Sequence, residues 1–199
     1  MEQITPFDLL IFLALLAMFV VGYAQGVVRR LLGIAAILFS LFLAAQLRQP
    51  VGEYLAHEWS TIAQSYSYMV AFGAVFVASA VTISLGIQLA YRPAPLFEKY
   101  PVLDELLGGL LGVLEGFIIL VAIFLILDPH YTLPEVKQNI GRGEFTFLRS
   151  VHEQLDETLT ADIIRHNVIP AVFAVLGFLF PQDVRDAFAR AAAPLLARR

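Results

Sequence analysis

Residues 9–21 read LLIFLALLAMFVV, a run with no polar side chain at all, and residues 116–127 read GFIILVAIFLIL in the same manner. A helix apolar on every side has no face to turn to water, so it must be surrounded by protein or by lipid. The 199-residue composition decides between these. Apolar residues make up 59%, charged residues only 15%, and the mean hydropathy is +0.76. Soluble domains run near 45–50% apolar and about 25% charged. These values exclude a disordered chain and a basic nucleic-acid-binding surface, and the absence of cysteine excludes a disulfide scaffold and thiol chemistry. The expected fold class is all-α: an integral membrane bundle of four transmembrane helices plus amphipathic C-terminal helices. The lipid bilayer is its first expected partner, and no nucleic acid is expected.

Working outward from residues 9–21, Thr5-Pro6-Phe7-Asp8 reads as a helix start, with Thr5 as N-cap, Pro6 at the first helical position and Asp8 three residues past the cap. No Lys or Arg precedes this span, so a retained anchor is expected rather than a cleaved signal. Gln25-Gly26 forms the turn into a second span, about 28–47, giving an expected tight antiparallel hairpin with Arg29 and Arg30 at headgroup depth. A polar connection over 48–67 precedes a third span, 68–91, stopped by Arg92-Pro93-Ala94-Pro95. The fourth runs over 105–127. Each approaches the roughly 20 residues that cross a ~30 Å hydrocarbon layer. Basic residues in the connections, Arg29, Arg30, Arg92 and Lys99 against Arg48, Lys137 and Arg142, slightly favour a cytoplasmic location for the first and third connections.

Charge density rises sharply at Asp128-Pro129, where proline is expected to end the fourth helix. The chain therefore divides into a four-span domain, 1–127, and a helical tail, 128–199. In the tail Leu148, Val151, Leu155 and Leu159 recur at spacings of three and four, with His152, Glu153, Asp156 and Glu157 opposite. The apolar run 168–180 is short for a span and is expected to pack on the bundle, lie in the interface or re-enter the membrane. A last, surface-lying helix is expected from Pro181, with Arg185, Arg190, Arg198 and Arg199 on its basic face.

Helices in lipid associate chiefly where small residues let backbones approach. Gly108, Gly112 and Gly116 recur every fourth residue on one face of the fourth span, with Gly109 adjacent, and Gly22 and Gly26 make a second pair. Ser79, Thr82 and Gly86 share a face of the third span. These stripes read either as helix–helix packing, their ordinary use, or as the wall of a pore or groove. Glu115 is the one acid deep in a span. A charge at that depth costs roughly 2.5–3.5 kcal/mol on insertion scales, against about 6 kcal/mol from the Leu and Ile of the same span. Insertion survives, and the acid should face protein or water. It reads either as a proton or cation site or as an interhelical partner, paired with Arg29 or Arg30.

Enzymatic signatures are missing. The histidines, His57, His130, His152 and His166, lack metal-ligand spacing, and neither a nucleophile elbow nor a phosphate-binding loop occurs. Ser79 and Ser84 have no His within their span to serve as base. No enzyme, cofactor or metal is expected.

Asp8, the Gly26-Val27-Val28-Arg29 turn and the Asp104-x-x-x-Gly108-x-x-x-Gly112-x-x-x-Gly116 run together resemble the colicin V production (CvpA) family, over roughly residues 4–130. The resemblance implies a small multi-pass protein of the bacterial inner membrane, associated with production or export of a peptide toxin and with envelope maintenance. Members often carry an Arg-Glu pair after the turn, where this chain has Arg29-Arg30. They often carry Arg at the positions of Glu105 and Glu115. Signs are thus exchanged at three places, as they would be if cross-span pairs were kept with polarity reversed. Two roles stay open: an assembly protein that contacts itself or other membrane proteins through its glycine faces, and a small channel or carrier for an unknown solute, lined by Glu115, Ser79 and Thr82.

Overall fold

The computed structural model describes residues 5–59, 62–90, 101–131 and 145–177, with 180, 182, 185 and 186. Four long helices, α1 (Pro6–Gln25), α2 (Val27–Glu58), α3 (Gln64–Ala90) and α4 (Pro101–Tyr131), are each long and apolar enough to cross a membrane. They are followed by α5 (Thr146–Asp156), α6 (Leu159–Ile163), a π-helical turn (Ile164–Val168) and α7 (Ile169–Leu176). No strand occurs among the described residues.

The start of α1 is a full capping box. The Asp8 N–H donates to Thr5 Oγ1 at 3.2 Å, and the Thr5 N–H donates to Asp8 Oδ2 at 3.0 Å. At the far end Gly26 alone links α1 to α2. Its φ of +76° lies in the left-handed region that favours glycine, and its N–H closes α1 on the Gly22 carbonyl at 3.0 Å.

The expected tight hairpin does not form. α1 lies along α4, α2 lies along α3, and α2 also meets α4, while α1 and α2 barely touch beyond their link. The physical reason is backbone access. The glycine face of α4 admits α1 to a distance that bulkier faces forbid. A Cβ added at Gly108 would lie 2.6 Å from the Gly22 oxygen and 2.8 Å from Gly26 Cα, and one added at Gly109 would lie 2.7 Å from the Phe19 ring.

Two helices run past their expected ends. α2 continues through Pro50 to Glu58, so the expected polar connection after Leu47 is helical for eleven more residues. At 1.5 Å per residue α2 measures about 48 Å, so its polar last third exceeds what is needed to cross a ~30 Å hydrocarbon layer. That segment is held by Tyr68, whose ring packs where Gly52 lacks a side chain and lies 5.4 Å from the Arg48 guanidinium. α4 likewise passes through Pro129 to Tyr131 instead of ending at Asp128.

The tail docks on the bundle. Leu155, Ala161, Ile164, Ile169 and Phe180 join one core with Phe72, Phe124 and Leu125 of the spans. His152, expected on the polar face of α5, is buried. Within the run 168–180 the described helix α7 is eight residues long, about 12 Å, too short to cross the hydrocarbon layer. The proline-rich stop at 92–95, the basic residues Lys99, Lys137 and Arg142, and most of the expected last helix lie outside the described residues.

Candidate functional site

Five of the seven predicted polar residues, Asp8, Arg29, Arg30, Asp104 and Glu115, lie toward the two ends of the bundle. At the turn end, Arg30 in the first turn of α2 forms an ion pair through Nη1 with Glu115 Oε2 of α4. Both residues are more than nine-tenths buried. Gly33, one turn further along α2, makes room for the carboxylate: a Cβ there would stand 2.7 Å from Glu115 Oε1. Of the two partners considered for Glu115, Arg30 is the one that meets it. Arg29 is half-buried beside the pair. Asp104 is buried with its carboxylate against Gly26, where any side chain would collide with it.

Gln25, Arg29, Arg30, Gly33, Ser84, Gln88 and Glu115 surround a polar cavity of about 160 Å³ at this end. Ser79 and Thr82 stand elsewhere. Ser79 Oγ donates to the Val75 carbonyl at 2.7 Å and Thr82 Oγ1 to the Ala78 carbonyl at 2.7 Å, so both hydroxyls are satisfied by their own helix. Ser84 and Gln88, which sequence reading passed over as a lining, take that place. They lie off the helix face that the spacing singled out, Ser84 falling between Thr82 and Gly86 in sequence.

The opposite end carries a network that the sequence did not announce. Asp128, 1% exposed, accepts from Arg165 Nε at 2.8 Å and Nη2 at 2.7 Å, and meets His152 Nε2 at 3.1 Å. Arg165 also pairs through Nη1 with Asp156, and its guanidinium lies 5.0 Å from the centre of the Phe124 ring. Burial alone would lower the pKa of Arg165. Hydrogen bonding to and the charge of Asp128, together with Asp156, outweigh it and hold the group above the usual guanidinium value. The π-helical turn 164–168 carries this arginine. Nearby, Ser65 Oγ and His130 Nδ1 are 3.0 Å apart, and His130 packs edge-on against Tyr66 and Tyr131. Asp8 joins this end as well, accepting from Thr160 Oγ1 at 2.9 Å and the Thr160 N–H at 3.3 Å.

The only advance signal for this network was an acid, Asp128, abutting an apolar run. Its partners lie 24 and 37 residues away, and no local spacing reports them. Among the described residues no group of three or more His, Asp and Glu side chains is arranged to hold a metal ion.

Gly22, Gly26, Asp104, Gly108 and Gly112, far apart in the chain, thus converge on one contact, and Gly116 continues it against Leu15 and Met18. A family profile described as colicin V production protein matches residues 7–151. The chain belongs to the colicin V production family. The match extends past the expected limit near residue 130 into the first half of α5 and ends one residue before His152. No curated protein and no solved structure is a significant match. With four helices able to span, this family member is a multi-pass membrane protein.

Proposed function

We propose that the chain is a non-enzymatic assembly protein of the bacterial inner membrane, acting in production or export of a colicin V-type peptide toxin and in envelope maintenance. Its partners are other membrane proteins or further copies of itself, and its first and third connections face the cytoplasm. Family membership supports the process. The observation that carries the assembly role is the outer face of α3. Ala74, Ala78, Thr82 and Gly86 recur there every fourth residue and are all exposed, and a Cβ at Gly86 would meet nothing within 4 Å. Small residues on an uncovered face permit close approach by a second helix in lipid. The glycine ladder of α4, in contrast, is closed by α1 of the same chain, so it is the α3 face that is left for a partner.

A photo-crosslinking residue at Val77 or Val81, both exposed on α3, tests this in native membranes. A discrete adduct, lost when Gly86→Leu fills the face, is the expected result. Diffuse or absent products would contradict it. The channel or carrier reading draws on the polar cavity around Glu115. It requires solute or ion flux in proteoliposomes that Glu115→Gln abolishes, whereas the assembly reading expects tight vesicles.

A further inference from the structure

We propose that the cavity at the α1–α2 turn is a binding site for a phosphate-bearing group, held by Arg29 with Gln25, Ser84 and Gln88. Gln25, Arg29, Arg30, Ser84, Gln88 and Glu115 converge on about 160 Å³, room for roughly five waters at ~30 Å³ each. Their hydrogen bonding is unbalanced. Arg30 is committed through Nη1 to Glu115, and its Nε is buried out of reach of the cavity. Among the described residues, Arg29, Gln25, Ser84 and Gln88 have no hydrogen-bond or ion-pair partner. A half-buried guanidinium without a counter-charge, as at Arg29 among the described residues, is costly in a protein interior.

The charges of the cavity lining favour an anion. Glu115 lies in the cavity wall, but Arg30 neutralises it. Asp104 and Glu105, the other acids at this end, are not part of the lining, and Asp104 is turned onto Gly26. The lining itself therefore carries two guanidinium groups against one carboxylate. α2 also begins here with no side-chain cap, so the positive end of its dipole adds to the field. A cation would meet two guanidinium groups. Donors approach from α1, α2 and α3, an arrangement suited to the several oxygens of a phosphate rather than the two coplanar oxygens of a carboxylate. Gln25, Arg29 and Arg30 flank the Gly26 link, and Ser84 and Gln88 lie within seven residues of the end of α3. The site therefore opens at the end of the bundle, at headgroup depth. A phospholipid headgroup and free phosphate share this chemistry.

Delipidated protein in neutral detergent, titrated with dihexanoyl phosphatidylglycerol, inorganic phosphate or uncharged dihexanoylglycerol, tests the site by native mass spectrometry and by the shift in Tm. A phosphate-bearing probe is expected to bind and raise Tm, and the uncharged probe is not. Arg29→Gln should weaken binding about tenfold or more without lowering the unliganded Tm, and Glu53→Gln at the far end should bind as the wild type does. Binding of the lipid alone assigns the site to a headgroup; equal binding of inorganic phosphate assigns it to the free anion. Ser84→Ala with Gln88→Leu supplies an independent second variant, expected to weaken binding as well. Failure of both phosphate-bearing probes to bind, or wild-type affinity in the Arg29→Gln protein, would overturn the proposal.

Discussion

Arg30 and Glu115 show how two charges persist inside a lipid-solvated bundle: each is the counter-ion of the other, and Gly33 leaves the space in which they meet. Removing one partner strands the other. Arg30→Glu or Glu115→Arg alone should destabilise the protein by about 3–5 kcal/mol, read as loss of membrane accumulation and of Tm in detergent. The doubly exchanged protein should recover much of that loss, and the recovery measures the coupling between the two sites. Simple additivity would show that the pair contributes nothing as a pair. Gly112 illustrates the other local requirement. A Cβ there would run into the Met18 carbonyl and stand 3.2 Å from Gly22 Cα. Gly112→Leu should therefore force α1 off α4, at a cost of about 1–3 kcal/mol or more, visible in the thermal transition.

At the scale of helices, the tail is joined to the spans by buried polar contacts rather than by apolar packing alone. Asp128 of α4 holds Arg165 and His152, and Asp8 of α1 holds Thr160. Asp128→Ala should release α5–α7 from the bundle while the spans stay paired. Limited proteolysis or hydrogen exchange should then show loss of protection confined to residues 145–177. Cooperative loss of protection in the spans too would contradict this division. Much at this scale was legible in the sequence: apolar runs locate four spans, and Thr5-Pro6-x-Asp8 locates the start of α1 to the residue. The continuation of α2 through Pro50 and of α4 through Pro129 was not legible. Proline removes one backbone hydrogen bond and is a local breaker, but contacts from Tyr68 to Gly52 and from Arg165 to Asp128 keep both helices going. The preference of α1 for α4 over its sequence neighbour α2 was hidden for the same reason. The glycine ladder announced a close contact without saying which helix fills it. His152 looked like surface because periodicity on α5 ranks it with acids, whereas Asp128 draws it inward.

In the molecule as a whole, the start of α1, the end of α2, the start of α3 and helices α5–α7 lie at one end of the bundle, with the Gly26 link and the end of α3 at the other. Asp8 with Thr160, and Asp128 with His152 and Arg165, fix the first end; Gly26 with Asp104 and Gly108 fixes the second. If lipid separates these ends, they must answer to reagents on opposite sides. The chain has no native cysteine to interfere. The most direct measurement places single cysteines at Glu53, Glu157 and Leu89, all exposed, and reacts intact and permeabilised cells with a membrane-impermeant maleimide. The account predicts that Glu53→Cys and Glu157→Cys are labelled from one side and Leu89→Cys from the other. Labelling of all three from the same side, or recovery of the protein in the soluble fraction, would contradict it.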